Sequence, residues 1–218
     1  MEYAAARKFM VDGQLRPNKV TDPGIIAAMG RLPRHSFVPT AHRARAHADA
    51  DVPLLNGRAM MQPMMLARLV QALAVRLGES ALVVGAGSGY SAALLADLGA
   101  SVTALEEDPA LLAAARMALP AAVPGAQPVL VQGALAAGWP VAAPYRVILV
   151  DGAVQALPAA LGAQLAEGGR PAAIIASPGR MPQAVLLRHI GGALDSSVLF
   201  DAAAPLLPGF AREAAFSL

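Results

Sequence analysis

The stretch from Ala81 to Ala96, Ala-Leu-Val-Val-Gly-Ala-Gly-Ser-Gly-Tyr-Ser-Ala-Ala-Leu-Leu-Ala, constrains the fold more than any other. Its first four residues read as a short buried strand, the glycines at 85, 87 and 89 as a tight turn, and the apolar run behind them as a helix. Glycine is needed where backbone turns sharply or approaches a ligand closely. A helix N-terminus adds unpaired N–H groups and partial positive charge. Such a turn can cradle a nucleotide-like ligand, although by itself it also reads as a plain strand-to-helix connection. About twenty residues on, Ser101 to Leu105 reads as a second strand ending in Glu106, an acid placed to take both hydroxyls of a ribose.

The third glycine decides which nucleotide is expected. A dinucleotide fingerprint, G-x-G-x-x-G, needs glycine where this chain has Tyr90, so an NAD-dependent dehydrogenase is a minor reading. The G-x-G-x-G spacing resembles the loop of S-adenosylmethionine (SAM) methyltransferases. On this reading the cofactor-binding residues are Gly85, Ala86, Gly87, Ser88, Gly89 and Tyr90 of the turn, with Glu106 and Glu107 after the second strand.

From Ala81 onward strand and helix patterns alternate. Strands are expected at 81–84, 101–105, 128–131, 145–150 and 171–176, and helices at about 90–97, 109–118 and 155–166. Near-continuous apolar strands in such an alternation predict an α/β fold, a Rossmann-like, mostly parallel sheet covered by helices on both faces. Ligands of these sheets bind beyond the carboxyl ends of the strands. That rim would carry Gly85, Glu106, Gly133 with Ala134, and Asp151, one set after each of the first four strands. Asp151 also reads as a turn residue ahead of the next helix. Near the C-terminus, runs at 184–190 and 194–201 joined by Gly191-Gly192 predict a hairpin, so the sheet should end in antiparallel strands.

Residues 1–62 differ in texture, with three histidines, many arginines and turn signals at Arg16-Pro17-Asn18 and Thr21-Asp22-Pro23. Thr21 or Asp22 can cap a short helix from Gly24 to Met29. The segment has too few large apolar residues to stand alone, so it is expected as a cap packed on a core of 63–218. Pro63 to Val75 places Met64, Met65, Leu66, Leu69, Val70 and Leu73 on one helical stripe.

Seventeen basic and fifteen acidic residues leave a net charge of +2, which argues against nucleic acid as a partner. With no cysteine there is no disulfide, zinc-thiolate or thiol nucleophile, and the four histidines form no helical metal-ligand pair, so no metal is expected. No export signal and no apolar run of membrane-spanning length is present, which predicts a cytoplasmic protein without a membrane partner.

Six segments, in order, resemble the protein-L-isoaspartate O-methyltransferase family. They are Met10 to Leu15, Ala28 to Pro39, Gln62-Pro63, Gly85 to Ser91, Gly138-Trp139-Pro140 and Gly168-Gly169-Arg170. The resemblance implies a class I methyltransferase sheet, SAM as cofactor with S-adenosylhomocysteine as product, and methyl transfer to the carboxylate of isoaspartyl residues in damaged proteins or peptides. Met61 and Gln62 would border the methyl-transfer point. The chain departs from the family in three places. Met61 stands where the family carries a hydroxyl residue linked to catalysis, which leaves the catalytic residue unassigned. Val83 stands where the family has an acid, and Ala134 where it has aspartate. Losing the hydroxyl costs about 1–3 kcal/mol, one hydrogen bond to a substrate group. The resemblance therefore also admits a SAM-binding pseudoenzyme or a methyltransferase with another substrate.

Overall fold

The structure, a computed structural model, describes residues 3–210. The first two residues of the expected cap and the last eight of the expected core lie outside the described residues. Helices α1 (Tyr3–Met10) and α2 (Pro23–Arg31), short strands β1 (Val52–Pro53) and β2 (Ala59–Met60), and helix α3 (Pro63–Leu73) come first. Then follow β3 (Ser80–Val84), α4 (Tyr90–Asp97), β4 (Ser101–Glu106), α5 (Pro109–Ala122), β5 (Val129–Gln132), β6 (Tyr145–Val154), α6 (Ala159–Gly162), β7 (Leu165–Ile175), β8 (Gln183–Ile190) and β9 (Ala193–Asp201).

Seven strands make one sheet in the order β5-β4-β3-β6-β7-β8-β9. The first five are parallel, and β8 and β9 add antiparallel to β7. Both faces are covered, which explains why the central strands are apolar without alternation. On β3, Ala81 and Val83 enter the core cluster shared with α3 and α4, whereas Leu82 and Val84 enter the one on the other face, with Leu161 and Leu207.

The N-terminal segment shares the first of these cores. Met10, Leu15, Ile25 and Met29 are buried in one cluster with Leu66, Val70 and Leu94. Helix α2 starts where the Asp22 carboxylate accepts the Ile25 N–H (2.9 Å), with Pro23 in its first turn. The Gln71 side chain of α3 accepts from the Thr21 and Asp22 N–H groups (2.8 and 3.0 Å) and donates to the Lys19 carbonyl, tying cap to core.

One expected element is mostly missing. Of the helix expected at 155–166, only Ala159–Gly162 is helical. Pro158 is its N-cap and disfavours a helical residue before it, and past the short helix the Gln164 side chain accepts from the Trp139 N–H and donates to the Ala137 and Ala160 carbonyls. β7 then begins at Leu165, opposite Tyr145. Among the described residues no helix is long and apolar enough to cross a membrane.

Candidate cofactor and methyl-transfer site

The turn after β3 has the backbone its glycines permit, with Gly85, Gly87 and Gly89 at φ of 75°, 56° and 96°. The N–H groups of Gly85 and Ala86 both donate to the Leu105 carbonyl at 2.9 and 3.0 Å, pinning the turn to the end of β4. Gly89 caps α4, where a side chain would press on Ala115 at 3.1 Å.

Glu106 ends β4 with no exposed surface. One oxygen accepts the Gly87 N–H at 2.7 Å, and the other accepts the N–H groups of Glu107 and Asp108 at 2.9 and 3.1 Å. A fourth donor is Arg58, whose Nη1 lies 2.8 Å from Glu106 Oε1 and whose Nη2 donates to the Gly85 carbonyl at 3.1 Å. Both side chains of this ion pair are withdrawn from solvent, at 10% and 0% exposure.

Arg58 arrives on a hairpin. β1 and β2 pair antiparallel, the Leu54 N–H donates to the Arg58 carbonyl at 2.8 Å, and Asn56 and Gly57 take the left-handed conformation between them. Asn56 Nδ2 donates to Asp108 Oδ2 at 2.6 Å, and Asp108 in turn caps α5, so the hairpin is clasped to the loop after β4.

A second group enters from the C-terminal side. The Ala153 N–H donates to the Pro205 carbonyl and the Leu207 N–H to the Ala153 carbonyl, at 3.0 and 2.8 Å, laying 205–207 along the end of β6 as a strap. A methyl group added to Gly85 would stand 3.0 Å from Leu207 and 3.1 Å from Arg58 Nη2; one added to Gly152 would stand 2.7 Å from Leu207. The cavity left among Arg58, Met61, Asp151, Gly152 and Leu207 is about 10 Å³, room for about one water.

The loop facing this cavity is held from below. Met61 is buried, its carbonyl accepts from Arg34 Nη2, and the Gln62 N–H donates to Asp51 Oδ1 at 2.9 Å. Arg34 has no exposed surface. Its Nε donates to the Ala46 carbonyl at 2.6 Å, its guanidinium lies 4.7 Å from the centre of the Tyr90 ring, and burial lowers its pKa. Burial likewise raises the Asp51 carboxyl.

Asp151 follows Val150, which pairs with Val84 at the end of β3. Its pKa is pushed up to about 6, first by burial and then by Glu106, while Ser91, Arg58 and Arg34 pull it down.

The structure thus brings Gly85, Ala86, Gly87, Glu106, Met61 and Asp151 around one cleft. The Ser88 hydroxyl donates to the Phe37 carbonyl and the Tyr90 ring packs edge-on to Phe37, so both side chains face the cap and only their backbone remains near the turn. Glu107 meets Glu106 through its N–H, and its own carbonyl accepts from Gln132. Gly133 donates its N–H to the Glu106 carbonyl at 3.2 Å and stands against Leu105 and Trp139; Ala134 is exposed beside it. Sequence reasoning missed Arg58, Arg34, Asp51 and Leu207. The dipeptide Asn56-Gly57 was the one available signal, marking the hairpin that delivers Arg58.

The residues fit an adenosylated amino acid. The buried acid lies beside a side-chain-free turn at a helix N-terminus, and what fills the space is one arginine side chain and a strap held by two backbone bonds. A parallel sheet with this turn and this acid is the class I SAM-dependent methyltransferase fold. The chain belongs to the protein-L-isoaspartate(D-aspartate) O-methyltransferase family, whose sequence profile matches residues 6–188. A protein-L-isoaspartate O-methyltransferase of Methylorubrum populi is 45% identical over 175 residues, covering 80% of this chain and 82% of that one. Another from Methylorubrum extorquens is 42% identical over 178 residues, covering 82% and 77%. Among solved structures, a protein-L-isoaspartate O-methyltransferase superposes with a TM-score of 0.82 at 23% identity, over 93% of this chain and 66% of that one. A putative protein-L-isoaspartate O-methyltransferase from Plasmodium falciparum, in complex with S-adenosyl-L-homocysteine, has a TM-score of 0.76 at 19% identity, over 91% and 96%. These two structural likenesses speak to the fold.

Proposed function

We propose that the protein transfers the methyl group of SAM to the side-chain carboxylate of isoaspartyl residues in proteins or peptides, the reaction its family is named for. The match of residues 6–188 to the family profile carries this reading, and buried Glu106 beside the glycine turn supports its cofactor half.

SAM, when bound, supplies a methyl group on a sulfonium, already activated for transfer. The chain contributes binding, alignment and dryness. Glu106 would hold the ribose hydroxyls in place of Arg58, and the backbone of Gly85 to Tyr90, at the start of α4, would hold the methionyl end. Glu107, Gly133 and Ala134 would border the base. Met61 and Gln62 border the acceptor, their loop fixed by Arg34 and Asp51. The acceptor carboxylate is ionised at neutral pH, so no general base is required, and alignment in a site closed to water supplies the rate. The apolar Met61 side chain gives the acceptor no hydrogen bond, so affinity for it rests on the rest of the cleft. The same proposal sets the reaction in the cytoplasm, in keeping with a chain that forms no disulfide.

The test is purified protein incubated with SAM and either an isoaspartyl peptide or its normal aspartyl isomer. Base-labile methyl ester on the first and not the second is expected. Equal labelling of both, or of neither with SAM bound, rejects the acceptor assignment.

A further inference from the structure

Glu106 and Asp151 flank the glycine turn from opposite sides, because β4 and β6 are the two neighbours of β3. At about 4.8 Å per strand spacing they stand about 10 Å apart, the scale of a sugar carrying a short amino acid. Glu106 is fully supplied with donors. Asp151 is not: its Oδ1 is shut off from solvent with no hydrogen-bond partner among the described residues, and the nearby Ser91 Oγ, in the first turn of α4, is buried without one too.

The backbone aims Asp151 there. Leu149 pairs with Ala172 of β7 and Ala153 with Ile174, so β6 advances four residues while β7 advances two, and the irregularity holds Asp151. Bulges of this kind re-aim a side chain and are common beside active sites.

Its charged surroundings leave it unmatched. Without cofactor, Arg58, from the β1–β2 hairpin, is engaged by Glu106 and the Gly85 carbonyl. Arg34, from the segment after α2, gives Nε and Nη2 to the Ala46 and Met61 carbonyls, and its buried Nη1 has no partner among the described residues. Glu106, from β4, opposes its ionisation and Ser91, from α4, favours it. The strap over it, Ala204 to Leu207, brings no charge. A half-buried carboxyl with one oxygen shut off from solvent and unpartnered is stabilised in its ionised form by a cationic ligand.

We propose that the Asp151 carboxylate is the counter-charge for the cationic methionyl end of the cofactor, its ammonium or its sulfonium. The proposal rests on SAM being the cofactor. It assigns the zwitterion's two charges to different groups, the carboxylate to the N-terminus of α4 and the cation to Asp151. Binding is then tightest with Asp151 ionised. Its free-protein pKa is about 6, so affinity is full above that and falls as pH drops below it, levelling off at the affinity of a neutral side chain at this position.

The test is calorimetric binding to wild type, Asp151→Asn and Asp151→Ser at neutral pH, with thermal melts to establish that each variant is folded. The probes are SAM, S-adenosylhomocysteine and 5′-methylthioadenosine, which is uncharged and lacks the amino acid. The variants should bind SAM about 10- to 100-fold more weakly, and methylthioadenosine within about twofold of wild type, if one ion-paired hydrogen bond is lost. Equal loss for S-adenosylhomocysteine identifies the ammonium as the contact; loss for SAM alone identifies the sulfonium. Unchanged SAM affinity in the variants, equal loss for methylthioadenosine, or wild-type SAM affinity flat from pH 5 to pH 7.5 would overturn the proposal with the cofactor assignment intact. Absence of SAM binding by wild type at every pH would instead overturn the cofactor assignment itself.

Discussion

Arg58→Gln should make the protein bind SAM more tightly, although the arginine lies at the heart of the cleft. In the structure its guanidinium holds Glu106 Oε1 at 2.8 Å, an oxygen of the carboxylate proposed to take the ribose, with the pair at 10% and 0% exposure. Every binding event therefore exchanges a charge-assisted hydrogen bond for the cofactor's. Such a bond contributes about 1.5–3 kcal/mol net, and at about 1.4 kcal/mol per decade its removal tightens the dissociation constant about 10- to 100-fold. Glutamine removes the charge while leaving a polar side chain for the Gly85 carbonyl. The same change destabilises the free protein, because Glu106 loses its cation. Stripping one partner from a buried pair costs up to about 3–5 kcal/mol, here lessened by the three backbone N–H groups that remain on the carboxylate. Titration calorimetry gives the affinity, and melts with and without SAM should show a ligand-free midpoint that falls and a larger shift on binding. A folded variant that binds SAM no better than wild type would refute the idea that Arg58 competes for Glu106.

Leu207→Ala should loosen the strap, since a buried leucine contributes about 1.5–3 kcal/mol over exposure. Faster hydrogen exchange at the Leu207 and Ala153 amides and about tenfold tighter SAM binding are expected; unaltered protection of both amides would count against a strap held by this side chain. Arg170→Ala should destabilise the fold by about 3 kcal/mol, because Arg170 pairs with Glu79 at 2.6 Å and its Nε donates to the Leu73 carbonyl at the end of α3. Denaturant unfolding measures it, and a change under 1 kcal/mol would contradict a stabilising role for this half-buried pair. The His47 pKa is held down to about 4, first by burial and then by Arg34, His35 and Arg7. Unfolded histidine takes up a proton near pH 6.5 and the folded one only near pH 4, so stability should fall as pH drops through that window. His47→Gln should flatten the fall in the melting midpoint.

The family departures take on different meanings in three dimensions. Val83 is wholly buried in the core behind the turn. Ala134 is exposed beside Gly133 and offers no polar atom. Met61 closes a cavity whose polar members are Arg58 and Asp151, one from a hairpin and one from an irregular strand end. The amino-acid pattern around 155–166 looked helical because it is rich in alanine and leucine. Pro158 and the strand pairing of Leu165 outweigh that local preference.

Local chemistry written in consecutive residues was enough for the glycine turn, the acid after the second strand, the strand-helix alternation and the terminal hairpin. Turn conformation, apolar runs and caps act over a few neighbours, so they survive reading along the chain. The union of Arg58 with Glu106, Leu207 over Gly85, and Arg34 beneath Met61 spans 48, 122 and 27 positions of sequence. No local pattern encodes such meetings. They follow from which strands adjoin and where a hairpin and a strap come to rest, and those contacts decide what lines and fills the cleft.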